Sequence, residues 1–158
     1  MKTCPYLLSA VGALMLSVAA QATPVISHFP ATGLGNFLAE KFDLASIRSS
    51  FGPRRTPATR TFADLGIAPS KASDDSVSFE REHWFHELRV VERRDVNGDG
   101  LEDLKACFVD RALAGPTYHA TRALLITRYG PDGYAIALSF DVDDACSKPA
   151  YLSGPSAR

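Results

Sequence analysis

The sequence predicts an α+β fold, in which an N-terminal short helix or helices and loops pack on an antiparallel sheet of about four strands. Residues 23–78 are rich in Pro, Ser, Thr, Ala and Gly and contain only short helical patterns. Residues 79–158 contain runs of aromatic and β-branched residues that are separated by turn sequences. The content of 46% hydrophobic and 22% charged residues is typical of a globular chain, so we expect residues 23–158 to form one domain.

The first 22 residues are predicted to be a secretory signal peptide. Lys2 supplies a positive charge, residues 6–20 carry none, and Ala20-Gln21-Ala22 places small residues at a cleavage site. An uncharged run of this length is shorter than the ~20 residues that span a bilayer, so no transmembrane segment is expected. The sequence therefore predicts an exported protein, periplasmic or extracellular.

Cleavage at this site changes the cysteine count. Cys4 leaves with the signal peptide, and Cys107 and Cys146 remain. Two cysteines in an oxidising compartment predict one disulfide, which would close a loop of about 40 residues. The alternative is a pair of buried free thiols.

The N-terminal part contains one clear helical pattern and a second, shorter one. Thr32 is the candidate N-cap of the first, and Asp43 is the candidate cap of a short turn that carries Leu44 and Ile47. The first helix is indicated by residues at helical spacing, namely Leu34, Phe37, Leu38, Lys41 and Phe42.

Four strands are expected, over residues 84–94, 104–110, 122–129 and 134–142. The turn sequence Gly130-Pro131-Asp132-Gly133 joins the last two and sets their register. The apolar pairs in this register are Leu125–Leu138, Thr127–Ile136 and Ala123–Phe140, and Arg122 faces Asp141 at the open end.

The connection between the first two strands has the spacing of a calcium loop. Oxygen-bearing side chains occupy positions one, three, five and nine of a run that starts at Asp95, and Gly100 at position six permits a sharp bend. Calcium takes about six to eight oxygen ligands, and alternate positions of a tight loop converge on one hollow. We expect Ca²⁺ rather than Mg²⁺ because no phosphate partner is implied. A polar hairpin turn is the alternative. The predicted ligands are Asp95, Asn97, Asp99 and Asp103 through their side chains and Leu101 through its carbonyl.

This run, Asp-x-Asn-x-Asp-Gly-x-x-Asp, resembles the single calcium loop of FG-GAP and VCBS-type repeats, which joins two β-strands. It is also similar to the first half of an EF-hand loop, but position twelve is Ala106, where an EF-hand requires Glu. The FG-GAP-like resemblance implies the same five ligands. It covers about a dozen residues and one copy, so a propeller and its adhesive function are not implied. The whole chain resembles small exported bacterial proteins of uncharacterised function.

The net charge and its distribution along the chain indicate which classes of partner can be expected. The formal net charge of −1 gives no basic excess for nucleic acid. One segment, residues 44–63, has no acidic side chain and could contact an unknown protein or an anionic surface. Its basic residues are Arg48, Arg54, Arg55 and Arg60.

The sequence leaves two functional classes open. We expect a non-enzymatic binding or interaction module in which calcium is structural, and the alternative is a small secreted hydrolase. No Gly-x-Ser-x-Gly nucleophile motif is present. His83 and His86 could bind zinc only if a third ligand such as His119 joined them, since their spacing matches no zinc motif.

Overall fold

The computed structural model describes residues 24–115 and 117–147, so the predicted signal peptide lies outside the described residues. One short helix, α1 (Leu34–Lys41), precedes a six-stranded antiparallel sheet in which neighbouring strands follow chain order. The described chain is therefore mostly β with a small helix. The strands are β1 (Lys71–Ala72), β2 (Ser76–Arg81), β3 (Trp84–Arg94), β4 (Asp103–Ala112), β5 (His119–Thr127) and β6 (Ile136–Leu138).

The expectation of about four strands, starting near residue 79, was too low. Strands β1 and β2 were missed because they lie in a polar, turn-like stretch that begins before that residue. In β2 only Val77 and Phe79 are fully buried, and both residues of β1 are exposed. Too few apolar side chains alternate here for a strand pattern to stand out.

Helix α1 forms where the spacing predicted it, but Thr32 is not its N-cap. The N-cap is Gly33, whose φ of 69° is left-handed and favours glycine. The Gly33 N–H donates to the Asp74 carboxylate, so a residue distant in sequence sets the helix start. The cap predicted at Asp43 is confirmed, since its carboxylate accepts the Ala45 N–H at 2.9 Å and begins a 3₁₀ turn over Leu44–Ser46.

The main core lies between α1, the loops that follow it and one face of the sheet. Leu34 and Leu38 of the helix are fully buried. Phe62, in the loop before β1, stacks on Phe79 with ring centroids 3.7 Å apart. The sheet contributes alternate residues of its central strands to this face, among them Leu88, Val90, Leu104, Ala106, Phe108, Leu124 and Ile126.

The opposite face of the sheet is closed by a disulfide. Cys107 of β4 is bonded to Cys146, which confirms the predicted pairing of two residues 39 positions apart. Cys146 ends a 3₁₀ helix, Asp143–Cys146, that packs on β4 and β5. Beneath it Leu125 and Ala145 are almost completely buried. The disulfide attaches this four-residue 3₁₀ helix to β4, so even a short segment can cover this face.

The predicted register of the last hairpin is confirmed, but β6 is shorter than expected. Leu125 pairs with Leu138 and Thr127 with Ile136, as the turn sequence indicated. The strand then ends, so the expected Ala123–Phe140 pair is absent from the described ladder. No ion pair joins Arg122 to Asp141, both of which the structure describes. The chain leaves the sheet after Leu138 to bring Cys146 to the opposite face.

A buried guanidinium joins the N-terminal segment to the turn between β5 and β6. Arg128 is 7% exposed and donates to three backbone carbonyls, those of His28, Pro131 and Gly133, the last at 2.9 Å. It also lies 4.7 Å from the ring centroid of Phe37. These donors satisfy carbonyls that no strand or helix would otherwise pair.

We expect Arg128→Met to lower the free energy of unfolding by about 2–4 kcal/mol, because a buried side chain loses its part-buried hydrogen bonds to three backbone carbonyls. Urea denaturation would measure the change. Arg54→Met is the control, since Arg54 is exposed and should change stability by less than about 0.5 kcal/mol. Equal stability of the two variants would contradict this role of Arg128.

Candidate metal centre

The connection between β3 and β4 carries four of the five predicted calcium ligands, and the fifth, Asp103, is the first residue of β4. Residues 95–102 connect the two strands, and the pair Arg94–Asp103 closes the ladder. These are the longest strands of the sheet and lie at its middle. The candidate site therefore lies at one end of the central hairpin.

Side chains of the loop hold its own backbone in shape. The Asp95 carboxylate accepts the N–H groups of Gly98 at 2.6 Å, Asp99 at 3.2 Å and Gly100 at 2.9 Å. The Asp99 carboxylate accepts the Leu101 N–H at 2.9 Å. Gly98 and Gly100 have φ values of 78° and 83°, where a side chain would strain the backbone. The turn is thus held by hydrogen bonds from its backbone to its own acidic side chains.

Asp103 is the most enclosed of the predicted ligands. It is 0% exposed, and its Oδ2 accepts the N–H groups of Val96 at 3.1 Å and Asn97 at 3.4 Å. Its Oδ1 is buried and has no hydrogen-bond partner. A buried carboxylate oxygen without a partner is costly, and a cation is one of the few groups that offset this cost.

The arginines beside the loop do not neutralise these aspartates. Arg93 pairs with Glu102 at 2.8 Å, and Arg94 with Glu92 at 2.6 Å. Burial raises the pKa of Glu102, but hydrogen bonds from Arg93 and Ser27 outweigh it and hold that pKa below its ordinary value. Among the described residues, no ion pair includes Asp95, Asp99 or Asp103. Three carboxylates therefore share one loop without a basic partner.

The N-terminal segment is attached to the outside of this loop, a contact that the sequence did not indicate. Ile26 donates to the Gly100 carbonyl at 2.9 Å and accepts the Glu102 N–H at 2.8 Å. In an extended segment, the amide and carbonyl groups of successive residues point to alternate sides. Since Gly100 and Glu102 bond to Ile26, the Leu101 carbonyl lies on the other side, where the Leu101 N–H meets Asp99.

The carboxylates are not gathered into a closed metal cage. Among the described residues, no three His, Cys, Asp or Glu side chains are close enough together to hold a metal ion. The predicted set has only three such side chains, because Asn97 and Leu101 would supply an amide and a carbonyl oxygen. The hydrogen bonds from the loop backbone also hold Asp95 and Asp99 against their own chain.

The histidines considered for zinc are separated. His83 lies in the turn between β2 and β3, and His119 begins β5 beside Arg111. His86 is 7% exposed, and its Nε2 lies 3.4 Å from Oδ1 of Asp110, which is 2% exposed. This buried pair was not predicted, since 24 positions separate two residues that only the β3–β4 register brings together.

The four arginines of the basic segment have different roles. Arg55 donates to the carbonyls of Ile47, Arg48 and Phe51, so it organises its own loop. Arg60 is paired with buried Asp43, whose hydrogen bond raises the pKa of the guanidinium above its ordinary value. Arg48 and Arg54 are exposed and take part in no ion pair among the described residues.

Comparisons with protein-family models, with curated proteins and with solved structures found no match to this chain. In the part of the chain that the structure describes, no helix is long and apolar enough to cross a membrane.

We expect Asp95→Ala to destabilise the protein by about 1–3 kcal/mol even in the presence of a chelator, because three backbone N–H groups lose their acceptor. Urea denaturation in EGTA would measure this. Asp132→Ala, at an exposed position of the β5–β6 turn, is the matched control and should leave stability almost unchanged. If both variants match the parent, Asp95 does not hold the loop.

Proposed function

We propose that this chain is an exported binding or interaction domain whose β3–β4 loop holds a structural calcium ion. The observation that carries the proposal is Asp103, a fully buried carboxylate that has one unpartnered oxygen and no ion-pair partner among the described residues. Its proposed co-ligands are the side chains of Asp95, Asn97 and Asp99 and the carbonyl of Leu101. Such an oxygen-only set suits a hard cation.

The proposed ion is structural because of where the loop lies. It joins the two central strands, and the N-terminal segment bonds to its outer side through Ile26. Calcium would offset the mutual repulsion of three carboxylates and fix the turn that sets the β3–β4 register. Binding requires the Asp95 and Asp99 side chains to share their oxygens between the loop backbone and the ion.

Export is supported by two independent features. The N-terminal sequence has the pattern of a signal peptide, and the Cys107–Cys146 disulfide suits an oxidising compartment. Calcium is also available at millimolar concentration outside cells, where weak extracellular sites are occupied. Periplasmic or extracellular location therefore agrees with the proposed ion.

An interaction role is supported better than a hydrolase role. The His86–Asp110 pair is the closest approach to a catalytic arrangement, but both side chains are buried in the core. In the described chain, no hydroxyl or thiol group is hydrogen-bonded to His86, as a nucleophile–base pair requires. The exposed arginines and the open cleft beside them supply a surface for a partner instead.

We expect millimolar Ca²⁺ to raise the Tm of the exported protein measured by differential scanning calorimetry. At 100 times Kd the gain in stability is about 2.7 kcal/mol. Asp99→Ala should abolish the shift, because it removes a proposed ligand. Asp132→Ala should keep the shift in full, and Mg²⁺ should give a smaller one.

A second variant separates ligand loss from misfolding. Asp103→Asn keeps an acceptor for the Val96 N–H but removes the buried charge, so we expect its stability in EGTA to change by less than about 1 kcal/mol. Its calcium-dependent gain should be lost. An undiminished gain in Asp103→Asn, or no shift in the parent protein at millimolar Ca²⁺, would refute the site.

A further inference from the structure

One edge of the sheet is left open over half of its last long strand. Strand β5 covers His119–Thr127, but β6 pairs only with its final three residues, Leu125, Ile126 and Thr127. Residues 119–124 are paired to β4 on one side and to no described strand on the other. A free strand edge presents backbone groups that can bond to another chain.

The direction of these backbone groups follows from the ladder. The Ala112 N–H donates to the Tyr118 carbonyl at 2.9 Å, so the residues of β5 that bond to β4 are those of even number. The odd residues point the other way, as Leu125 and Thr127 do toward β6. Thr121 and Ala123 therefore direct their N–H and C=O groups toward the open edge.

A cleft of about 830 Å³ lies beside this edge. The residues that line it include members of the 46–51 loop, Leu138 at the end of β6 and residues 139–142, which follow that strand. Ile47, Phe51 and Leu124 give it an apolar lining, and Phe140 is 47% exposed at its rim. Six extended residues, the length of the open edge, span ~20 Å.

The charged residues that line the cleft indicate which kind of ligand it would bind. Arg48 and Arg122 both line it, both are exposed, and neither has an ion-pair partner in the described chain. Among the described residues, Asp141 is the one acidic residue that lines the cleft. Two guanidinium groups against one carboxylate favour a ligand that carries acidic side chains.

We infer that this edge binds an extended acidic segment of a partner protein, which adds a strand beside residues 119–124. Backbone bonds from Thr121 and Ala123 fix the segment, and its carboxylates pair with Arg48 and Arg122. The chain's own residues 148–158 suit the cleft less well, since they carry Lys148 and Arg158 and no acid. This partner class specifies the interaction role proposed above and rests on it, but it needs no calcium, because the calcium loop lies at the other end of β4.

Fluorescence anisotropy with two labelled, end-capped peptides tests the inference. The acidic probe is Thr-Glu-Val-Glu-Val-Glu-Thr and the matched basic probe is Thr-Lys-Val-Lys-Val-Lys-Thr. We expect the exported protein to bind the acidic probe at least about tenfold more tightly than the basic one at low salt. Arg48→Glu and Arg122→Glu should each weaken binding by about tenfold, whereas Arg54→Glu, which changes the same charge outside the cleft, should not.

A backbone variant tests strand addition separately from charge. Ala123→Pro removes an N–H that faces the open edge and leaves the bonds to β4, so it should fold with a Tm near that of the parent and bind the acidic probe about tenfold less well. Equal binding of both probes, or unchanged binding by folded Ala123→Pro together with both arginine variants, would overturn the inference. So would a stable dimer in sedimentation analysis that is lost in Ala123→Pro, since a second copy would then occupy the edge.

Binding is measured in calcium and again in EGTA. Binding of the acidic probe without a calcium-dependent Tm shift would uphold this inference while the calcium proposal failed. A calcium shift without probe binding would give the reverse result.

Discussion

The pairing of β3 with β4 is the constraint on which the rest of this structure depends. The two longest strands carry residues for both layers: Leu88, Leu104 and Phe108 lie in the core that α1 also lines, and Cys107 is bonded to the segment on the opposite face. Because side chains alternate along a strand, a slip of one residue would exchange these faces. Helix α1 and the 3₁₀ helix at Cys146 would then lose their contacts at once.

Polar side chains form hydrogen bonds with many backbone groups that lie outside helices and strands. Arg55 and Arg128 bond to backbone carbonyls rather than to acids, and Asp64 accepts the N–H groups of Arg60 and Thr61. Asp95 plays the same part in the β3–β4 loop. The described residues form one eight-residue α-helix and long connections, so many backbone groups lie outside ladders, and each must find a partner when it is buried.

Features encoded by neighbouring residues could be predicted, and features set by distant contacts could not. The Asp43 cap, the β5–β6 register and the disulfide follow from local chemistry or from a count of two cysteines. The bulge at Val91, which lies between the pairs Val90–Ala106 and Glu92–Lys105, leaves no local signal. It places Arg93 on the side of the N-terminal segment, where it reaches the Pro30 carbonyl at 3.0 Å.

The same division holds within the candidate site. The spacing of oxygen-bearing side chains indicated which residues share the loop, because they are close in sequence. The enclosure of Asp103 and the contact with Ile26 depend on the fold rather than on the loop sequence. The pairing of Arg93 with Glu102 and of Arg94 with Glu92 is local, but the spacing of the loop does not indicate it. Spacing therefore indicated which residues lie close together, but not that the three aspartates lack a basic partner among the described residues.

The two edges of the sheet are unequal, and this inequality limits the stoichiometry of any assembly made by strand addition. At one edge β1 has only two residues, and both are exposed and include Lys71, a length and charge that discourage another strand. At the opposite edge, residues 119–124 pair with no further strand in the described part of the chain. If only one edge of the sheet accepts a strand, each molecule can add one strand from a partner, and this contact cannot repeat to form a fibre.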